Sequence, residues 1–539
     1  MQIPFANDAL DDSLDRAIAA GFMGMDKATN PTLLEPGIVQ DGLNVYFKGD
    51  GIARSRPAFV SNSNIFFGTG APVTTSDVRG MTYYDLPDYE ATIVFADDRL
   101  YSLSSTTAGV SASNFLTHGG ATTNNDVYFT QLVDRIFYLR NGVLCWVLRS
   151  GGVWTSGTVT TFSDGSAMPS WTRIATQGFR LFLMEAEGYK LYASAIGVAS
   201  LAANWVKTAN IQVGSGEGDP ARALIPSQGR FLTMITARAA WQIDTSDASV
   251  ANWPSLRVTS LAGCVEGKTA VAIGQDVYYL SRIGVVNLQA LIETISISSQ
   301  ATLSWPIQPY IDRINWSAIN RAFSTTWQDL FIIALPLDGD TRPKHFFAFN
   351  IRTRTWSTPW QFTPPTNPVT SVAFGGFTFG TTTNFGDKTE TIISDSTGRV
   401  YYVDNTTNYN ADDPGSGSSF IYINTWLATR SFTHDAPEAQ KQAGIAEMEL
   451  VARTTSQIVE FTLQLTKESL TTVTVANTTV TLVGYAAGNV YRARYNARSA
   501  AATMGHYRDA FLTFTMTRGQ MQLRSLALHG YVDGTDLST

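Results

Sequence analysis

The chain has 539 residues, enough for two to four domains with large buried cores. Its 38 basic and 45 acidic residues leave a net charge of −7, which argues against a tight nucleic-acid binder, because such proteins need a basic stripe to displace counterions. Aromatics make up 12% and charged residues only 15%, against about 25% in ordinary domains, so Ser, Thr, Asn and Gln must cover much of the surface, as in a strand-rich protein with many turns.

The N-terminus, MQIPFANDALDD, lacks the basic region and apolar core of a signal peptide. No window approaches 18 apolar residues, so no membrane span is expected, and the product is expected to be made in the cytoplasm as a soluble protein. Asn7 is placed to cap a short helix carrying Leu10, Leu14 and Ile18 on one face and ended by Gly21. Residues 37–59, GIVQDGLNVYFKGDGIARSRPAF, then alternate Val45 and Phe47 with polar neighbours, and Gly49-Asp50-Gly51 turns the chain back into Ile52-Ala53-Arg54. Val45 and Phe47 find no partner within so short a segment. An N-terminal arm of residues 1–59 is therefore expected to pack on the body, on a blade or on the C-terminal domain.

From residue 60 to about 420 a hairpin-like unit recurs: an apolar strand, a tight polar turn, a second apolar strand. It reads ATIVFADDRLYSLS at 91–104, VYFTQLVDRIFYL at 127–139, RLFLMEAEGYKLYAS at 180–194 and RFLTMITARAAWQID at 230–244. It returns at 276–288, in the pair 329–334 and 344–350, and at 391–404. The landmarks Tyr101, Phe137, Phe182, Leu232, Tyr278, Phe331 and Tyr401 are separated by 36, 45, 50, 46, 53 and 70 residues. Four-stranded propeller blades occupy about 40–50 residues, so the fold class expected is all-β, a β-propeller of six blades with seven as the alternative. The long last interval predicts a loop insertion around Thr358–Lys388. Within the repeats, WPIQPYIDRINWSAINRAF at 305–323 places Ile307, Ile311 and Ile314 at near-helical spacing.

NTTNYNADDPGSGSS at 405–419 reads as a linker or exposed loop. Beyond it, 444–452, 458–465, 472–483, 490–495, 510–517 and 521–532 are longer strands with cleaner alternation. They predict a C-terminal β-sandwich over 421–539.

Little in the chain points to catalysis. The histidines, His118, His345, His434, His506 and His529, lie far apart, and none sits at metal-ligand spacing with a third ligand nearby, although Glu438 follows His434 and Asp509 follows His506. HExxH, GxSxG, P-loop and GxGxxG patterns are absent. Asp97-Asp98 and Asp412-Asp413 fall in turns, where Asp bonds its own backbone, and a calcium loop at 404–416 would lack the terminal Glu of an EF-hand. An Asp-box of the sialidase type is approached only once, at Ser163-Asp164-Gly165-Ser166, with Trp171 wrongly spaced. Cys145 and Cys264 are 119 positions apart in apolar stretches and read as buried free thiols. The reading is therefore no enzyme, no cofactor and no metal.

Residues 37–59 resemble the N-terminal segment of the tail nozzle proteins of short-tailed bacteriophages, also called tail tubular protein B or packaged-DNA stabilisation proteins. The features shared are Asn44 before an aromatic strand, Gly51 in the turn, then Arg56 and Pro57. GCVEGKTAVAIGQDVYYLSRIGVVNL at 263–288, with Gly263 and Cys264 ahead of a strand and Gly284 in the following turn, is similar to a blade of such proteins. So are 303–315, 346–357 and 396–404. The resemblance implies a virion tail protein: a homo-hexameric ring below portal and adaptor that extends the DNA channel, retains the packaged genome and releases it at infection. Its implied partners are the adaptor, tail fibres or a needle or plug protein, and double-stranded DNA passing without specific binding. A propeller's own channel is too narrow for a duplex, so DNA would run along the oligomer axis. Two other classes fit the same repeats: a carbohydrate-binding or glycosidase-like surface propeller, and another phage tail component such as a fibre or hub.

Overall fold

The computed structural model describes residues 15–532 except 67–77, 87–88, 97, 107–108, 119–125, 187–188, 215–218, 228, 260–261, 294–301, 363–376, 386–387, 396–398, 405–410, 413–420, 435–439, 453–456, 469–470, 483–486, 498–505 and 520. Apolar runs such as Arg135–Arg140 and Leu330–Leu335 are too short for helices and are buried along most of their length. A strand reads this way when sheets cover both of its faces.

Each repeat unit lies in one small antiparallel sheet. The first four are four-stranded and span 78–117, 128–159, 171–212 and 221–259, and the fifth has three strands over 271–287. The sixth, 323–361, gains Gly24–Met25 and Ile38–Val39 from the N-terminal segment. The seventh, 377–404, takes Ala58–Phe66 as its fourth strand, paired with Arg399–Asp404. The first strands, Val78–Leu86, Tyr128–Leu132, Trp171–Gln177, Ala221–Ser227, Val271–Ile273, Phe323–Trp327 and Phe377–Phe385, neighbour one another in that order, and the last returns to the first. An apolar layer separates each neighbouring pair of sheets: Ile93 with Ile136, Phe137 with Leu181, Phe182 with Leu232, Ile235 with Val277, Ile332 with Ile393, and Ile392 with Val94. Between the fifth and sixth sheets Tyr278 stacks on Phe331 at 5.6 Å. The arrangement is propeller-like, and it has seven sheets among the described residues, where six blades were favoured and seven were the alternative.

Two larger sheets form the C-terminal sandwich. One contains Lys441–Val451, Val490–Asn496 and Gln522–Val532; the other contains Thr425–Ala428, Gln457–Lys467, Thr472–Leu482 and Ala510–Arg518. Met448, Leu526 and Leu528 of the first face Phe461, Leu463 and Phe514 of the second. Both sheets recruit N-terminal strands. Asp15–Ala20 pairs with Gln522–Val532, Ala53–Ser55 continues the same sheet, and Asp41–Leu43 pairs with Thr425–Ala428. The sandwich core runs without a break into the fifth and sixth propeller sheets through Val39, Val45, Phe47, Leu280, Ile333 and Phe347.

Two expectations are corrected. The helix anticipated between Asn7 and Gly21 is a strand over Asp15–Ala20, because pairing with Gln522–Val532 outweighs local propensity; residues 1–14 lie outside the described residues. Part of the anticipated loop at Thr358–Lys388, Phe377–Phe385, is the innermost strand of the seventh sheet, and 363–376 and 386–387 lie outside the described residues. Arm and propeller interleave: Gly24–Met25 and Ile38–Val39 of the arm extend the sixth sheet, and Ala58–Phe66, crossing the expected boundary at 60, closes the seventh. The near-helical segment 305–323 forms single turns at Trp305–Ile307, Gln308–Ile311 and Trp316–Arg321, burying Ile307, Ile311 and Ile314.

Candidate functional site: a buried junction and an axial plug

Asn44, Arg56 and Pro57 converge where propeller, arm and sandwich meet. The hairpin of Val45–Phe47 and Ala53–Ser55 brings Arg56 back beside Asn44, and the Arg56 amide donates to the Asn44 carbonyl at 2.7 Å. Asn44 has φ 61°, a left-handed conformation that Asn tolerates better than most residues. Its Nδ2 donates to the Asn424 carbonyl at 2.7 Å; its Oδ1 accepts from the Gln361 amide at 2.7 Å and from Arg56 Nε at 3.0 Å. Arg56, 1% exposed, also donates to the carbonyls of Pro57 at 2.9 Å and Gln361 at 3.0 Å, and its guanidinium lies 4.5 Å from the Phe59 ring centre. One asparagine and one arginine thus tie the sixth propeller sheet to the entry of the sandwich. Gly51, at φ 79°, lies against the Gly21 backbone and accepts from the Phe22 amide at 3.0 Å. A side chain there would be strained and would press on that strand.

Gly263 and Cys264 form the connector between the fourth and fifth sheets. The Cys264 amide donates to the Thr236 carbonyl at 2.8 Å, and a Cβ on Gly263 would overlap the backbone of Ala237 and Arg238. The Cys264 thiol is fully buried, and desolvation pushes it up to about 12, so it is not a nucleophile. Gly284 takes φ 124° in the next turn, where its carbonyl accepts from Ser281 Oγ at 2.9 Å and Ser304 leaves no room for a side chain. Six of the seven residues of the resemblance thus fall at two nodes, the junction and the connector with its turn, and Gly51 lies apart at the hairpin tip against Gly21.

The connector leads into an element that sequence reading passed over. The turn Gly267–Thr269 lies against the innermost strands of the fourth and sixth sheets, which places it at the propeller axis. Lys268, buried, reaches Asp126 ahead of the second sheet at 2.6 Å. Its amide donates to Glu266 Oε1 at 3.2 Å, and its carbonyl accepts from Ser324 Oγ of the sixth sheet at 3.4 Å. Arg173 of the third sheet lies over the Tyr128 ring of the second at 4.4 Å and donates to the Arg222 carbonyl of the fourth. Burial raises the Glu266 carboxyl above its usual range, and Lys268 and Arg173 offset part of that rise. The turn thus forms a plug near the axis, bonded to Asp126 ahead of the second sheet, to Leu280 of the fifth and to Ser324 of the sixth, and packed on the innermost strand of the fourth. Its one sequence signal is a Glu and a Lys set in the otherwise apolar CVEGKTAVAI.

Among the described residues no three His, Cys, Asp or Glu side chains are grouped to hold a metal, and no helix is long and apolar enough to cross a membrane. Cys145 is buried and its thiol raised to about 11 by desolvation. The histidines stay apart: His118 meets the Tyr138 hydroxyl at 2.9 Å, His434 meets Tyr507 at 3.4 Å, and His529 meets Glu447 at 3.4 Å. Glu438 and the supposed calcium loop from 405 to 410 and from 413 on lie outside the described residues. A groove of about 810 Å³ opens between Asp50–Ile52, Glu449 and Arg524. Its charges neutralise one another: Glu449 pairs with Arg492 at 2.6 Å and with Arg524 at 3.8 Å, and Asp50 pairs with Arg54.

No family model matches the chain, and no curated protein matches it. Among solved structures it is similar to the extracellular domain of a putative one component system from B. thetaiotaomicron, with 10% identity and a TM-score of 0.43 over 89% of this chain. This chain spans 63% of the length of that structure. It is also similar to a protein from Lactobacillus plantarum, with 12% identity and a TM-score of 0.33 over 57% of this chain and 95% of that one.

Proposed function

We propose that this chain is a structural ring subunit of a short-tailed phage tail, extending the DNA channel and retaining the packaged genome until ejection. The reading begins from the resemblance in residues 37–59 and 263–405. The observation that carries it is where those residues go: Asn44, Arg56, Pro57, Gly263, Cys264 and Gly284 are spent on holding sheets together, and Gly51 alone of the seven borders the groove, at a turn where it packs on the Gly21 backbone. Such residues suit a rigid building block that bears load. The axial plug supports the further point that DNA passes along the axis of an oligomer, outside any single propeller, because Lys268 and Asp126 fill the space where the innermost strands converge.

A conduit must confine a duplex without gripping it. DNA carries one charge per about 1.7 Å, and a basic lining would bind it through released counterions. The chain's −7 argues for weak contact. Binding of purified protein to short duplexes at moderate salt should be no tighter than about 10⁻⁶ M, the tight end of ordinary non-specific binding. Tighter binding would count against a low-friction channel.

A further inference from the structure

The axial plug brings a lysine and a carboxylate together away from solvent. Among the described residues two lysines are buried, Lys268 and Lys441. Lys441 donates to a backbone carbonyl, that of Arg508, at 2.6 Å. Lys268 meets a carboxylate instead: its Nζ lies 2.6 Å from Asp126 Oδ2, and its side chain is only 3% exposed. At that distance, ordinary hydrogen-bond angles put a donor about 3–3.5 Å from the carboxyl carbon, the approach distance of a near-attack pair.

The surroundings hold the two groups in place. The Lys268 amide donates to Glu266 Oε1 at 3.2 Å, and its carbonyl accepts from Ser324 Oγ at 3.4 Å. Gly267 is packed so closely that a Cβ would overlap the Arg222 carbonyl. Thr269 is fully buried, and its hydroxyl donates to the Glu266 carbonyl at 2.7 Å. Asp126 stands just ahead of Tyr128–Leu132, where the Arg173 guanidinium covers the Tyr128 ring at 4.4 Å. Glu266 completes the cluster: it is buried, and the charges of Lys268, Arg173 and Asp126 all act on its carboxyl. Burial raises that carboxyl above its usual range, so it holds a proton more readily than a surface glutamate does.

We infer that Lys268 and Asp126 condense into an intramolecular isopeptide bond, Nζ to Cγ, which ties the connector after the fourth sheet covalently to the start of the second. A proton passes from Nζ to Oδ2 along the bond they share, leaving an amine and an acid. Nζ then attacks Cγ. The Nζ–Cγ bond forms, a Cγ–O bond breaks, and the hydroxyl leaves as water with a proton from the nitrogen. Glu266 is the acid placed to relay that proton, giving one to the leaving oxygen and taking one from the nitrogen, so it ends as it began. The balance needs no oxidant and no co-reactant. Two features favour the product. The amide removes two charges whose desolvation weighs against a buried ion pair. Asp126, with 23% of its side chain exposed, leaves the water a way out. The bond closes residues 126–268 into one covalent loop that contains the second, third and fourth sheets. The inference stands on this cluster alone and is independent of the ring reading.

The test is mass spectrometry of the denatured full-length protein, for the parent and for Lys268→Arg, Asp126→Ala and Glu266→Gln. The parent should be lighter than its sequence by one water. Trypsin should fail to cut after Lys268, and the digest should contain a branched peptide joining the segment with Asp126 to the segment with Lys268. Lys268→Arg keeps a cation beside Asp126, so it should fold as the parent does, which circular dichroism checks, yet keep its full mass. Asp126→Ala should keep its full mass as well. Glu266→Gln should link more slowly, so a smaller fraction of freshly made chain has lost water. A parent of unaltered mass would overturn the inference. So would a loss of water that persists in Lys268→Arg, as closure of a succinimide at an Asp-Gly pair such as Asp50-Gly51 would give. Water loss as fast in Glu266→Gln as in the parent would strike Glu266 from the scheme.

Discussion

At the scale of single residues, the account makes Arg56 and Asn44 the pin between propeller and sandwich. Arg56→Ala would leave Asn44 Oδ1 and the Gln361 carbonyl short of a donor inside the core. Leaving such buried acceptors unsatisfied costs about 1–3 kcal/mol, and denaturant unfolding should show a loss of at least that size. A change under 1 kcal/mol would remove the pin from the account. A second prediction concerns pH. Burial is the largest influence on His345 and His118 and holds both below the usual 6.5. Around His345, Asp340 and Asp338 pull upward and Arg313 and Lys344 downward. The unfolded chain takes up these protons first, so the stability supplied by the neutral rings is present above pH 6.5 and is lost as pH falls through 6.5 toward the lower folded values. The denaturation midpoint of His345→Gln should therefore drop less between pH 7.5 and 5.5 than the parent's; equal drops would contradict this. Glu266 acts in the opposite sense. Its raised carboxyl value withdraws stability as pH rises from about 4.5.

At the scale of elements, the strands legible in the sequence were those buried on both faces. The recurring hairpin corresponds to the second and third strands of the sheets in six of seven cases, because those strands pack between neighbouring sheets and must be continuously apolar. The innermost strands were harder to read. Phe377–Phe385, FTFGTTTNF, is rich in Thr and carries a Gly, and it reads as loop. Landmarks drawn from different strands also blurred the period: Tyr101 and Tyr401 lie on third strands, Phe137 to Phe331 on second strands. The N-terminal pairings were not legible, since register between Asp15–Ala20 and residues 525–530 depends on strands 500 positions apart. The same distance hid the partners of Asn44 and Arg56, although the residues themselves stood out. Deleting residues 1–59 removes strands from both sandwich sheets and the sixth propeller sheet, and it strips Val45 and Phe47 from the shared core, each worth about 1.5–3 kcal/mol. The truncated chain should be insoluble. Recovery of soluble, assembled truncated protein would refute the structural role of the arm.

At the scale of the whole molecule, seven sheets, a sandwich and an interleaved arm make one continuous body. Propeller and sandwich share a core through the fifth and sixth sheets, so neither can rotate against the other without exposing Tyr278, Leu280 and Phe347. Under the proposed ring role such a rigid subunit would bear load, and DNA would pass along the axis of the oligomer. Negative-stain imaging of the purified full-length protein tests this most directly. The account predicts closed rings whose lumen admits a duplex, a path well over the 12 Å width of its major groove. Isolated monomers at micromolar concentration, or fibres, would contradict it.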